Sequence, residues 1–167
     1  YPELLLILVP RHPERFNAVG RLCQERGFRT IRRSATESPD ADTQIVLGDS
    51  MGEMWHYYRC ADLAFVGGSL VDTGCHNVLE PAALGLPVLT GPSQFNFATI
   101  CAMLEQAGAL TTVPDEQQLA AQVLRLLDDP DRRAAMGAAG QRIVAENRGA
   151  LDAVMGLVDA QLRVKNR

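Results

Sequence analysis

Apolar runs alternate with amphipathic stretches along most of this chain. Residues 4–9 form an unbroken apolar run, as expected of a central parallel strand covered on both faces, and the run stops at Pro10. A helix opens over 11–16, with Pro13 suited to its first position and Glu14 in its first turn; Phe16, Val19 and Leu22 recur at helical spacing until Gly27. Further strands are expected over 28–33, 44–47 and 62–66, from 88, and over 109–113, and helices over 54–60, 77–85, 97–107, 115–127, 131–146 and 151–164. Leu119, Val123, Leu126 and Leu127 make one apolar stripe on the helix over 115–127. Strand and helix alternating this way predict an α/β protein, a Rossmann-like doubly wound parallel sheet of about six strands with helices on both faces and a helical C-terminal tail.

The stretch from 66 to 97 organises the rest. It reads as a strand end, a glycine-rich loop, a short helix opened by Asn77 and closed at Gly85, a buried strand, and a second polar loop. Glycines let the backbone approach a ligand, and helix amides face anions. In a doubly wound sheet a ligand lies beyond the carboxyl ends of the strands. Four segments of unusual chemistry fall at such ends: 10–12, 48–53, 67–80 and 91–97.

Bulk properties narrow the options. A chain of 167 residues suits a single domain, and its formal charge of −4 argues against a broad nucleic-acid surface. Cys23, Cys60, Cys75 and Cys101 form no CxxC pair and sit in or beside apolar stretches, which reads as buried reduced thiols. No apolar run reaches the roughly 18 residues needed to span a bilayer. The chain opens without Met and almost inside a strand, so it is expected to be a soluble piece of a larger protein.

Each candidate residue carries two readings. Asn77 with Glu80 three residues on is the pattern of a capping box, yet a carboxylate there would also accept both hydroxyls of a ribose. Arg11, between a buried strand and a helix start, suits a phosphate, or pairs with Glu14 or Asp49. His12 touches the same ligand or faces solvent. Met51, Gly52 and Glu53 offer backbone amides to a base or phosphate, or belong to a second capping box opened by Ser50. Arg32 and Arg33 are solvated or meet an anionic substrate, and Trp55, Tyr57 and Tyr58 read as packing.

No Walker loop and no GxGxxG after the first strand is present, and His12, His56 and His76 lie too far apart for a helical pair of zinc ligands. No Asp-x-Asp of the kind that holds a divalent metal on a nucleotide diphosphate falls in those four strand-end segments. A nucleotide bound without metal is the expected ligand.

Pro-Arg-His-Pro-Glu-Arg-Phe at 10–16, Leu-Gly-Asp-Ser-Met-Gly-Glu at 47–53, Phe-Val-Gly-Gly-Ser at 65–69 and His-Asn-Val-Leu-Glu-Pro-Ala-Ala-Leu-Gly-Leu-Pro-Val at 76–88 carry a resemblance. The chain resembles the carboxyl-terminal half of 3-deoxy-D-manno-octulosonic acid (Kdo) transferases, GT-B glycosyltransferases of lipid A assembly. The resemblance implies a single CMP-Kdo donor domain over 1–167, with inverting, metal-independent transfer of Kdo to a lipid A precursor and no cofactor. It implies that Pro10, Arg11, Met51, Gly52, Glu53, Asn77, Val78, Leu79 and Glu80 hold the CMP. No catalytic residue is expected on this chain, since the family's general base is a Glu of the amino-terminal half. That half would also bring the acceptor site and membrane association, at the cytoplasmic face of a bacterial inner membrane. Three positions depart from the family pattern: Cys75 stands where glycine is expected, Val78 where proline is common, and Ser93 where histidine is common. A UDP-sugar GT-B transferase domain and a non-catalytic nucleotide-binding module are the alternatives.

Overall fold

A computed structural model describes residues 1, 3–35 and 37–147. The helix expected over 151–164 lies outside the described residues. The chain falls into two compact units, one over Tyr1–Ala61 and the other from Asp62 onward. The six expected strands are present and all pair in parallel, as two sheets of three.

In the first unit, β1 (Leu6–Leu8), a 3-10 turn (Pro13–Arg15), α1 (Phe16–Glu25), β2 (Thr30–Arg32), β3 (Ile45–Leu47) and α2 (Met54–Arg59) succeed one another. The sheet order is β1-β3-β2, with Ile7 and Ile31 both opposite Val46. Parallel strands need crossovers, and α1 carries the chain from β1 at one edge to β2 at the other, with β3 later filling the place between them. β1 differs from the strand expected from its apolar run. It is three residues long and lies at the edge of its sheet; Leu4, Leu5 and Leu6 are exposed, Leu6 by 49%. An apolar run sets strand propensity, but its place in the sheet depends on long-range pairing.

The stripe of α1 is also displaced from expectation. Gly20 and Cys23 are its buried positions, whereas Leu22 is 48% exposed. Gly20 is the reason: a Cβ there would come 2.9 Å from Arg32 Nη2 and 3.2 Å from Leu47 Cδ2, so the helix lies close to β2 and β3 along its glycine.

The second unit runs β4 (Ala64–Val66), α3 (Leu79–Ala83), β5 (Val88–Thr90), α4 (Ala98–Gln106), β6 (Leu110–Thr112), α5 (Glu116–Asp128) and α6 (Pro130–Asn147). The sheet order is β4-β5-β6, and every residue of the central strand is buried. Alternate residues of β5 enter different clusters, as side chains on opposite faces of a strand must. Val88 packs with Val78, Ala82, Cys101 and Leu104 from α3, α4 and the segment before α3. Leu89 packs with Leu126 and Met136, joined by Leu119 and Val123. Helices therefore cover both faces of this sheet.

Local signals set the helix ends here. The Asp115 carboxylate accepts from Gln118 N at 2.7 Å and caps α5. Asp129 does the same for Arg132 at the start of α6, at 2.8 Å. Arg133 Nη1 donates to the carbonyls of Leu126 and Leu127, satisfying the last turn of α5. α6 packs on α3 through glycine, for a Cβ at Gly137 would stand 1.9 Å from the Gly85 carbonyl oxygen.

Candidate functional site

In the first unit the chain leaves β1 through Val9 and Pro10 to Arg11 and His12, both exposed. His12 sits in extended backbone just before the 3-10 turn, with its Nδ1 4.0 Å from Glu14 Oε1. Glu14 faces His12, and Asp49 pairs with Arg32 at 3.6 Å.

The loop after β3 is held by carboxylates. Asp49, nearly inaccessible, accepts from the Ser34 amide at 2.8 Å and the Ser34 hydroxyl at 2.6 Å. Burial alone would raise its carboxyl, but the Ser34 hydrogen bonds and Arg32 together hold it below the usual aspartate range. Arg32 also donates to Asn17 Oδ1 at 2.8 Å, which joins this corner to α1. The two arginines read as solvated or substrate-facing are thus both engaged: Arg32 on Asp49, Arg33 on Glu53.

Glu53 has no carboxylate oxygen to spare. Oε1 accepts from Arg33 Nη2 at 2.9 Å; Oε2 accepts from the Ser50 hydroxyl and lies 3.4 Å from the Tyr57 hydroxyl. Ser50 and Tyr57 are themselves 2.9 Å apart. The Ser50 hydrogen bond, then Arg33, lowers the Glu53 carboxyl below its usual range. The capping box expected from Ser50 and Glu53 does not form, since α2 has no side-chain cap and the Ser50 hydroxyl goes to a carboxylate instead of an amide. Tyr57, expected as packing, is buried and also carries a polar role. Between Ser50 and Glu53, Met51 projects outward and Gly52 adopts φ +80°, which an L side chain rarely takes. Neither amide makes a backbone hydrogen bond among the described residues. What this loop offers a ligand is therefore its backbone, with Glu53 as the anchor.

In the second unit the glycine-rich loop over 67–76 leaves β4. Gly68 and Gly74 have φ near +80°, and a Cβ at Gly68 would stand 2.4 Å from the Gly74 carbonyl oxygen, so the loop closes on itself. Among the described residues no non-glycine residue has positive φ. Cys75 therefore stands without strain where a glycine was expected, its thiol fully buried 3.9 Å from that of Cys101. Burial, then Cys75, pushes the Cys101 thiol up to about 12. Cys23, Cys75 and Cys101 are buried free thiols as expected, whereas Cys60, just past α2, is exposed.

Asn77 lies two residues before α3 instead of opening it. Its Oδ1 accepts from Leu79 N at 2.9 Å, while its Nδ2 donates to Glu80 Oε1 at 3.1 Å. One short side chain thus satisfies a helix amide and orients a carboxylate. The reciprocal bond of a capping box is replaced by this amide-to-carboxylate contact. Glu80 is half-buried, and its Oε2 has no hydrogen bond among the described residues. Val78 is fully buried in the core, so its side chain faces no ligand; Leu79 is partly buried.

Three residues without a predicted role bind the strand-end loops together. Ser69 Oγ donates to Val66 O and accepts from Gly91 N, each at 2.7 Å. Ser93 meets both ends of the glycine loop, and Gln94 Nε2 reaches Thr90 and Thr112 at the ends of β5 and β6. For Ser69 and Ser93 the available signal was a small polar residue three positions past a strand end; Gln94 carried none.

Parallel strands followed by glycine loops and helices, with an oriented carboxylate at a helix start, define a doubly wound α/β protein. A family model described as "Glycosyl transferases group 1" matches residues 11–143. The chain belongs to this family, and within it to the Kdo transferases. It is 48% identical over 97% of its length to a 3-deoxy-D-manno-octulosonic acid transferase of Haemophilus influenzae, of which it covers 38%. The corresponding transferase of Bordetella pertussis is 40% identical over 89% of the chain, which covers 35% of that protein. The chain thus spans little more than a third of the length of these two relatives. The solved C-terminal CMP-Kdo binding domain of WaaA from Acinetobacter baumannii superposes with a TM-score of 0.82 at 41% identity, over 84% of this chain and 74% of that one. The fold is that of a GT-B carboxyl-terminal half.

Proposed function

We propose that this chain is the donor-binding domain of a Kdo transferase and that its ligand is CMP-Kdo. The observation that carries the reading is the Asn77–Glu80 pair. Asn77 holds one carboxylate oxygen at 3.1 Å, and the second is left to accept from vicinal hydroxyls such as those of a ribose. The likeness to a CMP-Kdo binding domain supports the choice of nucleotide. Arg11, exposed after β1, would neutralise the phosphate of CMP, with Pro10 setting the turn that presents it. Met51 and Gly52 would donate backbone amides, Glu53 would anchor their loop, and Val78 and Leu79 would contribute backbone beside Asn77.

In the whole protein, Kdo transfer to a lipid A precursor would proceed with inversion and without metal, and negative charge would grow on the departing CMP phosphate. Arg11 would act where that charge develops, so its effect would be larger in the transition state than in the bound donor. The general base, acceptor site and membrane association would come from the portion of the relatives this chain does not span, at the cytoplasmic face of the inner membrane. Residues 1–167 would bind the donor as one domain without turning it over.

Calorimetric titration with CMP and UMP tests the reading. CMP should bind more tightly, and Glu80→Gln and Arg11→Ala should each weaken CMP about tenfold, equivalent to ~1.4 kcal/mol. Tighter binding of UMP would sink the Kdo assignment, and unchanged affinity in Glu80→Gln would remove the ribose role.

A further inference from the structure

Ser93 directs its amide, its carbonyl and its hydroxyl to one neighbouring loop. Its amide donates to Ser69 O at 2.9 Å. Its carbonyl accepts from Cys75 N at 2.8 Å, and its hydroxyl accepts from Gly74 N at 3.2 Å. The loop over 67–76 is thereby fastened near its start and at its end by a single residue from the turn after β5. Two further contacts make the fastening rigid. Ser69 Oγ bridges Val66 O and Gly91 N, and a Cβ on Gly91 would stand 2.3 Å from Ser69 O, so the two loops run backbone to backbone.

Beyond this clamp the chain enters the candidate nucleotide seat. Cys75 is fully buried, the His76 amide donates to Gly67 O at 3.2 Å, and Val78 is again fully buried. Asn77 is held between these two buried anchors, and its side chain in turn holds Glu80. The path to Asn77 is set where the Ser93 hydroxyl and carbonyl receive two successive amides. Gly74 is buried, so losing the hydroxyl would leave its amide without an acceptor and the end of the loop held by the Cys75–Ser93 backbone bond alone, free to shift.

We infer that Ser93 is a positioning residue for nucleotide binding: by receiving the Gly74 and Cys75 amides it fixes the loop that places Asn77 and, through it, the Glu80 carboxylate. The inference rests on the reading of Asn77 and Glu80 as nucleotide ligands. Ser93 touches no ligand in this scheme; it acts through the loop.

The test compares Ser93→Ala with Ser93→Thr, which keeps the hydroxyl, by NMR of the free chain and by CMP titration. In Ser93→Ala the Gly74 amide should lose its protection from exchange, the Asn77 side-chain amide signals should shift, and CMP should bind about fivefold more weakly. Ser93→Thr should restore all three. Ser93→Cys, a weaker acceptor of similar size, replaces the alanine variant if that does not fold. Unmoved Asn77 signals in the hydroxyl-free variant would overturn the inference, as would unchanged CMP affinity with only a lowered melting temperature. If the unaltered chain fails to bind CMP, the donor reading falls by itself. The Asn77 signals then decide positioning: a shift in the variant supports it and no shift overturns it.

Discussion

Arg33 Nη2 donates to Glu53 Oε1 at 2.9 Å, joining the residue after β2 to the residue before α2 across twenty positions of sequence. With the Ser50 hydroxyl on the other oxygen, the pair keeps the Glu53 carboxyl ionised below its ordinary range. A carboxyl lowered on folding contributes stability that is complete above its unfolded value and is lost as pH falls through the folded one. Stability should therefore decline on acidification below the ordinary glutamate value, and Glu53→Gln should flatten part of that decline. Denaturant midpoints taken from neutral to acid pH check this; an unchanged acid limb in Glu53→Gln would contradict it. Asp49 is lowered in the same direction and accounts for part of the slope that remains.

The contact between α3 and α6 leaves no room for a methyl group. Gly137→Ala would place a Cβ 1.9 Å from the Gly85 carbonyl oxygen, a backbone atom that cannot swing aside. The expected cost is about 3 kcal/mol, measured as a lowered urea midpoint at unchanged m. Exposed Ala138, its neighbour, should tolerate serine with little effect.

Thiol reactivity should separate the cysteines by burial. Cys60 is exposed, while Cys23, Cys75 and Cys101 are buried and the Cys101 thiol is pushed up to about 12. A small alkylating reagent at neutral pH should modify Cys60 rapidly in the folded chain and the other three only in denaturant, as peptide mass mapping would show. Rapid native labelling of Cys75 would mean that the glycine loop opens.

The end of α5 should depend on a residue of the next helix. Arg133 donates to the carbonyls of both Leu126 and Leu127, at 2.8 Å to the latter. Arg133→Met keeps most of the aliphatic stem and removes both bonds, with an expected loss of about 1–2 kcal/mol. Thermal unfolding of the variant measures it, and Arg133→Lys should recover only part.

Periodicity and glycine placement made most of this architecture legible, because each element's existence is a local matter. All six strands and the six helices among the described residues stand close to where the pattern put them. The errors arise where distance in sequence intervenes. Leu4 and Leu5 read as core because an apolar run says nothing of which sheet edge it will occupy. Leu22 read as buried because the close approach at Gly20, which rotates the stripe of α1, is set by β2 and β3. At the site, Asn77 and Glu80 were legible as a pair, but a capping box and an amide holding a carboxylate share one sequence pattern. The partners of Arg32 and Arg33 lie seventeen and twenty residues away, and no local rule reaches that far.

One consequence of the engaged carboxylate concerns how this chain could drift. Because Glu53 is consumed by Arg33, Ser50 and Tyr57, the loop between Ser50 and Glu53 transmits a shape rather than a side chain. Position 51, whose methionine points outward, is then free to vary, while the glycine at 52 is fixed by its positive φ. The four anchoring residues share one set of hydrogen bonds, so the effects of substituting them on stability should not add.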